Sequence, residues 1–146
     1  MSKTSDWWTS PTESENGKLI MVTGRRDVDK FRNNPRFCIR VEITWKYDGD
    51  ESGMPDLNTA TLMEQVQEAL EKEFEKDPVA ILTGIYTGDN ERNWIFYTLS
   101  THIFGRKLNE SLATFELLPI TIYTENDAAW NEYQEMKDLS EIIADD

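Results

Sequence analysis

At 146 residues, 38% of them hydrophobic, the chain is long and apolar enough to fold as one domain without a disulfide or metal staple. Its formal charge is −13, from 15 basic and 28 acidic side chains. That field argues against nucleic-acid and membrane-surface partners, whose phosphates it repels, and in favour of solubility and a basic partner.

A lone cysteine, Cys38, cannot form an internal disulfide and points to a reducing compartment. The first residues carry Trp7 and Trp8 but no apolar h-region, so no signal peptide is expected. No stretch approaches the roughly 18 apolar residues of a membrane span. Cytoplasm is the expected location.

In chain order, residues 1–17 read as polar apart from Trp7 and Trp8, ending in the turn signal Glu15-Asn16-Gly17. Leu19 to Thr23 reads as a first strand, and Arg25 to Asn34 as a charged connector closed by Pro35. From Phe37 to Tyr47 the alternation is strict: Phe37, Ile39, Val41, Ile43, Trp45 and Tyr47 against Cys38, Arg40, Glu42, Thr44 and Lys46. Such period-2 patterning predicts a strand with one buried and one more polar face.

A helix is predicted from about Thr59 to Lys76, with Leu62, Val66, Ala69, Leu70 and Phe74 on one stripe. Asn58 or Thr59 is its expected cap, and Asp77-Pro78 its stop. Val79–Thr87 and Asn93–Leu99 read as a hairpin around Gly88 to Arg92, a second helix starts at Thr101, and Leu117–Tyr123 is a further strand. Asp127 can cap a final helix bearing Trp130, Tyr133 and Met136.

The order from Phe37 to Tyr123 is thus β-α-β-β-α-β. The expected fold is α+β: a ferredoxin-like βαββαβ two-layer sandwich with an extra N-terminal strand and a C-terminal helix. The domain would span 1–146, with its core unit at about 37–124 and an acidic C-terminal helix and tail at 126–146. Pro119 inside the last strand suits a sheet edge. Asn93–Leu99, apolar on both sides, suits a sheet centre. A two-layer sheet leaves one face open, which would carry Arg40, Thr44, Lys46, Trp94 and Phe96, in part covered by the terminal segments.

Catalytic chemistry is sparse. His102 is the single histidine, so triads and zinc sites lack their parts. Gly84 to Gly88 lacks the lysine of a phosphate loop. Asp48 to Asp56 places acids at loop positions 1, 3 and 9 and glycine at 6, as in a calcium loop, but Thr59 stands where a bidentate glutamate belongs. It reads better as a solvated loop. The aromatic strand Asn93 to Thr98 lacks the basic signature of an RNA-recognition motif. No cofactor, metal or catalytic residue is assigned. Residues 125–146 hold eight acids and one lysine, either a solvated helix and tail or a docking surface for a basic partner.

The string Gly84-Ile85-Tyr86-Thr87-Gly88-Asp89-Asn90-Glu91-Arg92-Asn93-Trp94-Ile95-Phe96-Tyr97-Thr98 resembles the central hairpin of a bacterial family known as domain of unknown function 695. Asp6-Trp7-Trp8 followed by Asn16-Gly17-Lys18, and Asp127-Ala128-Ala129-Trp130-Asn131-Glu132-Tyr133, resemble its opening and closing motifs. Trp94 departs from the smaller aromatic usual there, and no Tyr-Pro follows Tyr133. The resemblance carries over no catalytic residues. Some members look fused to a domain similar to the regulator of ribonuclease E activity B, an acidic inhibitor of its target enzyme, which implies a regulatory role by association.

The leading expectation is a non-catalytic protein-binding or regulatory module acting through an acidic surface. Its candidate interaction surface is Arg40, Lys46, Trp94, Phe96, Trp130 and Tyr133. The rival is a small-ligand binder or enzyme with a pocket on the open sheet face, using Arg40, Lys46, Tyr86 and Tyr97. A homodimer through the 117–123 edge, weakened by Pro119, is a third. Oligomeric state is left open.

Overall fold

A computed structural model describes residues 6–145. The chain is mixed α+β: strands β1 (Trp7–Glu13) and β2 (Leu19–Arg25), a one-turn helix α1 (Asp29–Arg32), β3 (Ile39–Lys46), α2 (Leu57–Lys76), β4 (Ala80–Gly88), β5 (Glu91–Thr98), α3 (Thr101–Leu112), β6 (Ile120–Asn126) and α4 (Asn131–Asp145). All six strands form one sheet in the order β1-β2-β4-β5-β3-β6, and every neighbouring pair is antiparallel. The order is not that of a simple four-stranded ferredoxin-like sheet, because the β1–β2 hairpin extends it beyond β4.

Local chemistry explains most of the boundaries. The Asp56 carboxylate accepts the Thr59 N–H at 2.7 Å, so α2 starts at Leu57 and its cap precedes the Asn58 or Thr59 expected. The Ser100 hydroxyl likewise accepts the Ile103 N–H at the start of α3. Between β4 and β5 the turn tightens to Asp89-Asn90, both left-handed (φ 51° and 69°), residue types that tolerate that geometry in a two-residue hairpin. β5 is central and β6 lies at an edge, as their patterns predict. Pro119, however, sits one residue before β6 and not inside it.

Two expectations fail. The N-terminal addition is two strands, because the polar run Thr9–Glu13 pairs residue by residue with Leu19–Thr23 across a Gly17 turn. Backbone pairing at an edge needs no apolar alternation, so composition concealed β1. Nor is the fold two-layered: helices lie on both faces of the sheet.

On the first face, β3 presents Val41, Ile43 and Trp45 and β5 presents Trp94 and Phe96 to α2 and α3. Trp94 and Phe96 are completely buried there. Phe74, Phe96 and Phe104 form an aromatic cluster with ring centroids 4.9–5.4 Å apart, and the Trp94 indole N–H reaches Gln67 at 2.9 Å. These two residues are therefore removed from the candidate interaction surface. The side of β5 that meets α2 and α3 is the one opposite Arg40.

The second face is divided. Over β1, β2 and part of β4 and β5, a second core forms from Trp8, Val22, Ile81, Ile95 and Tyr97, closed by Trp130, Tyr133 and Met136. Two glycines admit this layer. A Cβ on Gly24 would lie 2.1 Å from the Trp8 ring, and one on Gly84 would lie 2.7 Å from Met136 Sδ. A bulge between Leu82 and Gly84 lets Ile81 and Tyr86 both point to this face. Over β3, β6 and the far end of β5, no helix among the described residues covers this face of the sheet.

Candidate functional site

The boundary between the covered and open halves of the second face is a cleft of about 570 Å³. Its floor is Arg40 from β3 and Tyr86 from β4. One wall is the end of β6 with Glu125 and Asp127, and the other is α4 with Glu132, Glu135 and the apolar Met136 and Leu139. A second hollow of about 450 Å³ continues past Tyr86 to Asn93, Glu91, Asp89 and Glu15. Tyr86 lines both, so the two hollows adjoin at its side chain.

Asp127 organises the α4 side. Its carboxylate accepts the Asn131 N–H at 2.9 Å, the Glu132 N–H at 3.1 Å and the Tyr97 hydroxyl at 2.7 Å. The cap expected from sequence is present, and it also ties α4 to the middle of the sheet. Between them the chain turns through Trp130, whose left-handed backbone (φ 56°) is unusual for so large a residue. Packing holds it there: the Trp130 ring stacks on Tyr97 at 4.0 Å and its indole N–H donates to the Phe37 carbonyl at 2.8 Å. Trp130 and Tyr133 are thus interior, 0% and 1% exposed. They too are corrected: they position the site and do not present a surface.

Arg40 is the cation of the cleft, with its side chain only 12% exposed. It donates to Glu42 at 3.0 Å, forms an ion pair with Glu125, and lies over the Tyr123 ring at 5.9 Å. Its Nε has no hydrogen-bond partner. Burial lowers the guanidinium's pKa, but Glu125, Glu132 and Glu42 more than compensate and leave it raised. Lys46, at the end of β3 opposite Glu91, is exposed and lines neither hollow.

Glu132 is the residue that sequence reading missed. One carboxylate oxygen accepts the Tyr86 hydroxyl at 2.8 Å, while the other is buried without a partner. Burial pushes its pKa above the ordinary value. Tyr86 and Arg40 counteract this only partly, and Glu42 and Asp127 add to it. Burial and then Glu132 push the Tyr86 hydroxyl up as well, so it acts as a neutral donor. Asp127 goes the other way. Burial raises it, but Tyr97 and the two helix N–H groups, with Arg40, outweigh burial and hold it below its usual value. In sequence Glu132 was one glutamate among many on an acidic helix; what marks it is the neighbour Tyr86, 46 residues earlier.

Chemically, the cleft sets four carboxylates (Glu125, Asp127, Glu132 and Glu135) against one guanidinium. It can accept hydrogen bonds from a cation and cover an alkyl stem with Met136 and Leu139. His102 is exposed on α3, and the Asp50 carboxylate is taken up by the N–H groups of Ser52 and Met54 in its own loop. Among the described residues no group of three or more acids, histidines and cysteines is placed to hold a metal ion, and no helix is long and apolar enough to cross a membrane.

Among curated proteins and among solved structures, none matches the chain. The model of the family of unknown function DUF695 matches residues 6–136, from the start of the first hairpin through the turn that carries Trp130 and into α4. That span takes in both cores and nearly all of the cleft, and the chain belongs to the DUF695 family.

Proposed function

We propose that the protein is a non-catalytic binding module whose acidic cleft captures a basic segment of a partner protein. The observation that supports this best is Glu132: a buried carboxylate with a free oxygen, in a cleft where carboxylates outnumber guanidinium four to one. A lysine or arginine side chain entering the cleft relieves that imbalance, and the adjoining hollow past Tyr86 offers further acids, Asp89 and Glu91, to neighbouring basic residues. The regulatory role implied by the family resemblance, and a cytoplasmic location in keeping with the unpaired Cys38, belong to the same reading. So does the reading of β4-β5-β3-β6 with α2 and α3 as a ferredoxin-like unit to which the first hairpin and α4 are added.

Fluorescence anisotropy with a labelled lysine- and arginine-rich peptide tests the proposal. Binding that weakens as salt rises, and that drops about tenfold in the Glu132→Gln, Glu135→Gln double variant, is expected. Equal affinity for an acidic peptide of the same length, or no change in the variant, overturns it.

A second reading has its own support. The cleft volume of about 570 Å³ falls within the range of small-molecule sites, and its apolar wall of Val22, Met136 and Leu139 is of the usual kind. A thermal-shift screen of small amines that raises Tm in the native chain but not in Glu132→Gln, with no peptide binding, would favour the small-ligand binder.

A further inference from the structure

The two edges of the sheet are treated differently. β1 carries Pro11 at its centre, which removes a backbone donor and hinders the addition of another strand, and α4 packs against it. β6 has no proline, lysine or bulge within Ile120–Asn126, and its last six residues are all exposed. Within β6, Ile122 and Tyr123 are 48% and 55% exposed, and Leu117 just before it is fully exposed, so the edge presents apolar side chains to solvent. The edge is also poor in charge for a chain of net charge −13: its one charged residue, Glu125, is already paired with Arg40.

The ladder defines which groups are free. The Asp127 N–H donates to the Cys38 carbonyl at 2.8 Å, in register with the β3–β6 pairing. Alternation along an antiparallel ladder then turns Thr121, Tyr123 and Glu125 inward to β3 and leaves the backbone groups of Ile122, Thr124 and Asn126 pointing outward. The Ile120 N–H is taken by the Leu118 carbonyl, but its own carbonyl also points outward.

From this we infer that β6 pairs with β6 of a second copy, antiparallel about a two-fold axis through Ile122. In that register Ile122 exchanges both backbone bonds with its symmetry mate, and each Thr124 N–H donates to Ile120 of the other copy. Tyr123 lies opposite Thr121, a cross-strand pair that covers its ring. Glu125 lies opposite Pro119, so no two carboxylates face one another. Registers centred on Thr124 would instead set Tyr123 against Glu125 and leave Ile122 opposite Asn126. This register pairs both outward groups of Ile122, the Thr124 N–H and the Ile120 carbonyl, while the Thr124 carbonyl faces an Ile120 N–H already taken by Leu118. It is preferred because it sets Tyr123 against Thr121 and keeps Glu125 away from other side-chain acceptors. One short strand buries less than a standard interface, so the dimer is expected to be weak.

Sedimentation velocity of the full chain across a concentration series tests the proposal. A monomer–dimer equilibrium that tightens as salt rises is expected, since screening relieves repulsion between two acidic chains. Binding of a basic peptide to the cleft weakens with salt, so the two surfaces are distinguished by the sign of their salt dependence. Thr124→Pro removes a donor that the intramolecular ladder does not use, and it raises the dimer Kd about tenfold or more with the native circular dichroism spectrum retained. Ile122→Lys sets two cations across the axis and does the same. A chain that stays monomeric throughout, or a dimer with the same Kd in both variants, overturns the proposal.

Discussion

The two faces of the sheet bury similar kinds of side chains but to different ends. Under α2 and α3 the face is continuous: Val41, Ile43, Trp45, Trp94 and Phe96 meet two long helices, and the hollow beside Phe74 and Phe96 holds only about 70 Å³ against about 570 Å³ on the other side. On the opposite face α4 contacts mainly β1 and β2, so a sealed aromatic core around Trp130 stands beside an uncovered polar field around Arg40. The first face shows what a strand alternation needs for stability. The second shows how a site arises where coverage stops: the helix end closes one side of a hollow, and ionisable groups at the margin are half desolvated.

The largest expected effect asks whether the second core is as structural as the first. Phe96→Ala and Trp130→Ala should each cost about 3–5 kcal/mol in urea unfolding, because both empty a fully buried aromatic site. A cost below about 1 kcal/mol for Trp130→Ala would mean that α4 is an appendage and that the two faces are not equivalent.

A smaller effect tests how the margin is held. Asp127→Ala removes the acceptor for two helix N–H groups and the Tyr97 hydroxyl, and should cost about 1–2 kcal/mol. Because the Asp127 carboxyl is held below its ordinary 3.8, its stabilisation is present above that pH and is lost as pH falls through the lowered value. The variant should therefore lose less stability than the native chain on acidification. The same acid slope in both would remove Asp127 from this role.

The smallest effect concerns Glu132. Its carboxyl is raised above 4.5, so the folded state holds the proton more tightly than the unfolded chain, and native stability declines as pH rises through the window above 4.5. Glu132→Gln keeps an acceptor for Tyr86 and carries no charge. The variant should match the native chain at acid pH and exceed it at neutral pH by up to about 1 kcal/mol. A gain that is independent of pH would show that the buried carboxylate carries no desolvation strain.

Much of the framework was legible from residues alone. The alternation of Phe37 to Tyr47, the helix stripe of Leu62 to Phe74, the Asp127 cap and the central character of Trp94 to Tyr97 each record a local rule. The site was not legible in the same way. Arg40 could be placed on the polar side of β3, but not beside Glu132, because their proximity depends on where α4 docks. Trp94 and Phe96 were assigned to the wrong face for a related reason. A strand that is apolar on both sides does not reveal which side meets which helix.

By itself the sequence determined the α+β class, the order of the helices and most of the strands, and an acidic surface, since periodicity, caps and charge are properties of neighbours along the chain. The tertiary structure decided that β1 exists, that α4 covers half a face, and that a cleft with Glu132 at its margin remains beside it. Those depend on backbone pairing at an edge, on room made by Gly24 and Gly84, and on desolvation by residues distant in the chain, none of which is encoded in any local pattern.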